Sequence, residues 1–279
     1  MVAPMKSAAT LSLAIVAVSL AATTPAGAAV GDWARGQRSE VRLIASGIGT
    51  DGKLAAGIEI VMPQGWHTYW RSPGDAGVPP LVDFSASKNL GPAAIDFPVP
   101  TRLDDGFAVT NVYQDRVLLL VSAPIADPTQ PVELSVSLQI GVCDEICIPE
   151  EVNAVLTVPP GENDAGAAKT LAAARALVPG AAEPGVFALE KASRDGGTEN
   201  KPVFRFAGVV PDAVHANVFV EGPPDWSPYT PELVSGRAGK ATWSVKFSRT
   251  GSTVPIAGAK FRVTILSGNR AIDQTLGLD

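Results

Sequence analysis

Val132-Glu133-Leu134-Ser135-Val136-Ser137-Leu138-Gln139-Ile140 alternates apolar and polar residues. It runs into Gly141-Val142-Cys143-Asp144-Glu145-Ile146-Cys147-Ile148-Pro149, and a further run follows through Val152, Val155 and Val158. Period-two alternation marks a strand with one buried face. Two such runs around a short polar stretch predict an antiparallel hairpin, with Asp144, Glu145 and Ile146 forming the turn and one cysteine on each arm. The chain has 2 cysteines in all. A disulfide needs Cα atoms within about 7 Å, whereas residues four apart on one extended strand stand about 13 Å apart, so this pair bonds only if the backbone turns. Both sulfurs are therefore expected near one tip.

Short alternating segments recur on the N-terminal side of this hairpin, at residues 41–44, 54–62 and 117–122, separated by Gly, Pro, Asn and Asp clusters. Repeated short strands with turn signals predict an immunoglobulin-like antiparallel β-sandwich over residues 30–159, a small barrel being the alternative. Beyond it, Asn163 or Asp164 can cap an Ala-rich stretch, residues 165–177, which Pro179-Gly180 can stop, predicting a short helix within a linker over residues 160–184. Strand-like runs return at 186–191, 202–207, 216–221, 241–247, 260–266 and 271–276, giving a second, cysteine-free sandwich over 185–279. The predicted fold class is all-β, two immunoglobulin-like sandwiches joined by that linker.

Lys6, the apolar stretch 8–22 and Ala26-Gly27-Ala28 have the layout of a secretory signal, expected over residues 1–29. No later stretch is apolar enough over about 18 residues to span a bilayer, so the mature chain is expected in the periplasm with no transmembrane span. An oxidising compartment lets a disulfide persist. Roughly 250 mature residues can build hydrophobic cores without disulfide support. A net charge of -6 and the lack of a Lys/Arg run argue against nucleic acid and membrane surfaces. There is no phosphate-binding loop, nucleophile elbow or paired-histidine motif, so no cofactor is expected.

The cysteine pair has three readings. As a structural staple it closes so short a loop that the chain-entropy gain is only about 2 kcal/mol. As a redox pair, a tight bridge in a turn suits ready exchange. As a Cu(I) site, Cys143 and Cys147 offer soft thiolates, but of the 3 methionines Met1 and Met5 fall in the leader, and His67 and His215 are distant in sequence. Asp144 and Glu145 disfavour a thiolate, so a strongly activated nucleophile is not expected. Trp66, Tyr69 and Trp70 around His67 read either as core anchors or as a flank of the thiol site. His67 itself reads as a hydrogen-bonded structural group more readily than as a proton carrier. Trp226, in a Pro-rich loop, reads as a partner contact or as a ring folded back on its own sheet.

The segment from Gly141 to Pro149 resembles the redox site of the periplasmic N-terminal domain of DsbD-type thiol:disulfide interchange proteins, and is most similar to the suppressor-of-copper-sensitivity (ScsB) branch. Gly65-Trp66-His67-Thr68-Tyr69-Trp70-Arg71-Ser72-Pro73-Gly74-Asp75-Ala76-Gly77 is similar to that branch's early block, as is Tyr113-Gln114-Asp115-Arg116 leading into residues 117–120. The resemblance covers about residues 38–159. It implies a thiol-disulfide oxidoreductase of the protein-disulfide reductase type, carrying electrons from a membrane partner to periplasmic thioredoxin-like proteins. Copper tolerance and cytochrome c biogenesis are the settings it implies. Cys147 would form the mixed disulfide and Cys143 would resolve it. Asp104, Asp105 and Phe107 resemble the family's cap loop, with Gly106 in place of its first aromatic, implying that Phe107 shields the cysteines with Tyr113 in support. Family members normally continue into a membrane domain and a thioredoxin domain, so a chain ending at Asp279 implies a separate membrane thiol transporter as reductant. The competing class is a non-enzymatic binding module, with a structural disulfide or bound Cu(I).

Overall fold

The computed structural model describes residues 29–279; apart from Ala29, the expected signal segment lies outside the described residues. In chain order the first unit contains β1 (Ala34–Arg35), β2 (Glu40–Ile48), β3 (Lys53–Val61), β4 (His67–Gly74), β5 (Leu81–Asp83), β6 (Ala94–Asp96), β7 (Thr101–Asp104), β8 (Val109–Gln114), β9 (Arg116–Pro124), β10 (Val132–Cys143) and β11 (Cys147–Val158). One sheet runs β1-β2-β3-β9-β6, and the other runs β11-β10-β4-β8-β7 with β5 also against β10. Neighbouring strands pair antiparallel, and Leu43, Ile58 and Leu119 of the first sheet share a core with Trp70, Leu134, Leu138 and Val142 of the second. This is the sandwich that period-two patterning requires.

The alternation fixes which face each residue takes. On β10, Val132, Leu134, Val136, Leu138, Ile140 and Val142 are buried, and on β11 Val152, Ala154, Leu156 and Val158 are buried. Val155 is 55% exposed, because its odd position puts it on the opposite face from Val152 and Val158.

Helix α1 (Ala165–Arg175) starts at Asp164, whose carboxylate accepts the Ala167 N–H at 2.6 Å. It does more than link. Ala167, Leu171 and Ala174 pack on Ile44 and Leu120, covering the outer face of the first sheet.

The second unit contains β12 (Gly180–Ala181), β13 (Ala188–Gly197), β14 (Pro202–Val209), β15 (Asn217–Glu221), β16 (Ser227–Pro228), β17 (Glu232–Arg237), β18 (Lys240–Ser248), β19 (Lys260–Ser267) and β20 (Arg270–Gly277). Its sheets run β12-β20-β19-β15 and β13-β14-β18-β16, with β17 also on β18. Their shared core is aromatic. Trp226 folds back against Phe204, Phe247 and Phe261 with ring centroids 5.9–6.1 Å apart, which makes it a packing residue.

The units meet along β4 and β15. Phe219 is buried with the first unit's core, its ring edge 5.4 Å from Trp70. Arg71 Nη2 donates to Glu221 at 2.8 Å and to Asp273 at 3.0 Å, and Arg102 donates to the Val218 carbonyl at 2.7 Å.

Candidate redox site

The hairpin of β10 and β11 ends in the pairing of Cys143 with Cys147, and the Asp144 N–H donates to the Ile146 carbonyl at 3.1 Å to close the turn. The cysteines form a disulfide with an S–S distance of 2.05 Å and a Cα–Cα distance of 4.1 Å. Because Val142 points into the core, Cys143 must point to the outer face of the sheet. Register then extends the row sideways. Cys147 lies opposite Cys143, Cys143 opposite His67, and His67 opposite Gln114, across β11, β10, β4 and β8.

Tyr69, two residues along from His67 and so on the same face, lies against Gly141, where an added Cβ would stand 3.4 Å from the ring. Its hydroxyl is 3.3 Å from both Sγ atoms. Bonded sulfurs carry no proton, so the hydroxyl is the donor to either. Tyr69, Val112 and Leu103 pack around Cys143, which is 1% exposed. Cys147, by contrast, is exposed and lies on a groove of about 740 Å³ walled by Tyr69, Val78, Leu81 and Glu151. Only one sulfur of the pair faces the solvent.

The surroundings set the proton states. Burial lowers the His67 pKa below its ordinary value, and the carboxylates of Asp144 and Asp105 partly oppose that. Burial raises the Tyr69 pKa and Asp105 raises it further, so the phenol keeps the proton it donates towards sulfur. A base whose folded-state pKa is depressed favours its neutral form. The resulting stabilisation is complete above the ordinary histidine pKa of about 6.5 and is lost as pH falls below it towards the folded-state value. Melting temperatures are therefore expected to fall between pH 7.5 and 5, and His67→Gln is expected to flatten that fall. Parallel curves for the two proteins would contradict this assignment.

Two expectations for supporting residues are corrected. Asp105 accepts the N–H groups of Phe107 and Ala108, each at 2.8 Å, Asp104 accepts the Gly106 N–H at 2.9 Å, and Gly106 adopts φ of 83°. These bonds hold residues 104–108 in a turn that leaves Phe107 99% exposed, so its ring does not lie over the disulfide. The same N–H groups, that of Ala108 foremost, hold the Asp105 pKa below the ordinary carboxylate range. What the loop presents to the site is the charge of Asp105, felt by His67 and Tyr69. Tyr113 sits in the sandwich core and donates to the Pro98 carbonyl at 2.7 Å, since its strand parity is opposite to that of Gln114. Of the aromatic cluster, Trp70 is core and Trp66 packs against it, whereas the odd positions His67 and Tyr69 face the sulfurs' side.

The site is thus a disulfide at a hairpin tip on an immunoglobulin-like sandwich, one sulfur covered and one open. Residues 40–159 match the family described as thiol:disulfide interchange protein DsbD, N-terminal, so the first sandwich is similar to that domain. The crystal structure of the N-terminal periplasmic domain of ScsB from Proteus mirabilis matches with a TM-score of 0.70 at 18% identity, covering 90% of this chain and 98% of that one. The two share a fold through both sandwiches. Comparison with curated proteins gave no match. No helix among the described residues is long and apolar enough to cross a membrane.

Proposed function

We propose that this chain is a periplasmic carrier of reducing equivalents, in which Cys147 exchanges with thioredoxin-like proteins and Cys143 resolves the intermediate. The observation that carries the reading is the asymmetry of the pair, Cys143 1% exposed and Cys147 open on its groove. The reduced Cys147 thiolate attacks one sulfur of a partner disulfide, forming an intermolecular S–S bond and releasing the partner's other sulfur as a thiolate. Cys143, as thiolate, then attacks Cys147 Sγ. The intramolecular bond forms, the partner leaves as a dithiol, and two electrons have passed to it. A dithiol of a separate membrane thiol transporter reverses the sequence and regenerates the pair.

Asp144 and Glu145 are both exposed in the turn between the cysteines, and acidic neighbours disfavour a thiolate. Such a pair reacts slowly with small oxidants and depends on docking to bring a partner disulfide into line. Cys143→Ser is expected to stop the reaction after the first step, so that its Cys147 accumulates as a mixed disulfide with an oxidised thioredoxin-like protein. Cys147→Ser should form none. A Cys143→Ser protein that gives no adduct with the thioredoxin-like protein overturns the carrier role.

A further inference from the structure

The surface around Cys147 is apolar at its centre and acidic at its edge. Val78 and Leu81, 61% and 58% exposed, wall the groove, and Ile146 in the turn is 65% exposed. Phe107 stands free on the loop whose Asp105 acts on His67 and Tyr69. Val78, Leu81 and Ile146 are thus large apolar side chains left in water beside one sulfur, the character of a contact surface. Between and beside them lie the exposed carboxylates of Asp104, Asp105, Asp144, Glu145 and Glu151. No lysine or arginine among the described residues lines the groove. The Glu150 carboxylate beneath it accepts the Arg38 N–H and the Ser39 hydroxyl, both at 2.6 Å, and meets no cation among the described residues.

We infer that this surface selects a redox protein whose cysteine-bearing face is basic, with apolar residues beside the cysteine and lysine or arginine flanking them. The inference rests on the exchange role proposed above and names the chemistry of its partner. Opposite charge steers the encounter and raises the association rate, while apolar contact around the sulfurs holds the complex. The same charges act on the chemistry. Asp144 and Glu145 disfavour the Cys147 thiolate in the free protein, and a cationic partner seated over them relieves that penalty. The nucleophile is thus raised by the partner it is meant to attack. The covalent steps and their electron balance are those already given.

The test uses the reduced chain and two cyclic peptide disulfides of equal apolar content, one flanked by lysines and one by glutamates, with rates expressed relative to neutral hydroxyethyl disulfide. The lysine peptide is expected to oxidise the pair at least about tenfold faster at low ionic strength. The ratio should approach one in 1 M salt, where the screening length is about 3 Å. Glu145→Lys combined with Glu151→Lys should reverse the preference. Equal rates for the two peptides at low salt overturn the basic-partner inference and leave the carrier role standing. Absence of exchange with both peptides and with a thioredoxin-like protein overturns the two together.

Discussion

Arg71→Ala is expected to cost about 3 kcal/mol of unfolding free energy, read by chemical denaturation. Arg71 presents Nε and Nη2 to Glu221 and Nη2 also to Asp273 and Thr264, and its guanidinium lies 4.2 Å from the Trp70 ring centroid. The side chains of Arg71, Glu221 and Asp273 are only 13%, 20% and 18% exposed, so the charges are poorly screened. Removing the arginine leaves two carboxylates close together at the junction of the units, with Arg262 still bonded to Asp273. An uncompensated, half-desolvated charge is the costly outcome, rather than the loss of one ion pair. Arg71→Lys keeps the charge and loses the fork, so an intermediate loss is expected. The alanine variant should also show a second, earlier transition as the units part. A loss below about 1 kcal/mol in a single unchanged transition would show that Arg71 is peripheral to their union.

Gly77→Val should disturb stability and site together. Gly77 has φ of 99°, and a Cβ there would lie 2.3 Å from Tyr69 Cε1. Left-handed backbone at a β-branched residue costs about 1–3 kcal/mol, and forcing the ring aside costs about as much again, so a loss of about 2–6 kcal/mol is expected. The displaced ring is the one that covers Cys143 and donates to the sulfurs. Reduction by a small thiol should therefore become several-fold faster as the second sulfur opens to attack. Tyr69→Phe is the control, because it removes the hydroxyl and keeps the ring in place. It should leave stability within about 1 kcal/mol. If Gly77→Val melts and reacts like the parent, the contact between Gly77 and Tyr69 does not shape the site.

The β10–β11 hairpin was legible in the sequence because its determinants are local. Alternation assigns the faces, and a polar stretch between two strand runs assigns the turn. Asp164 was legible as a cap for the same reason. His67 and Tyr69 were legible only as members of an aromatic cluster with two readings, because what brings them to the sulfurs is the register of β4 against β10, more than seventy residues away. Once that register is known, the odd positions between Trp66 and Trp70 fall on the sulfurs' side without further information. Phe107 misled because residue type shows that a loop carries an aromatic ring but not where the ring points. Here two backbone bonds to Asp105 and the left-handed Gly106 decide that. Tyr113, expected in support of the cap loop, lies in the core because its position on β8 alternates with that of Gln114. The contact between the units was not legible at all, since Arg71, Glu221 and Asp273 become neighbours only after both sandwiches have formed.

The bridge lies on the outer side of its sheet, with Val142 and Ile140 turned the other way into the interior. Three residues separate the two sulfurs along the chain, and the side chains that alternate with them on β10 belong to the core. On the exchange role proposed above, the oxidation state is met first by whatever docks at the tip. Strand β4 carries both neighbourhoods, Tyr69 at the sulfurs and Trp70 with Arg71 against the far sandwich.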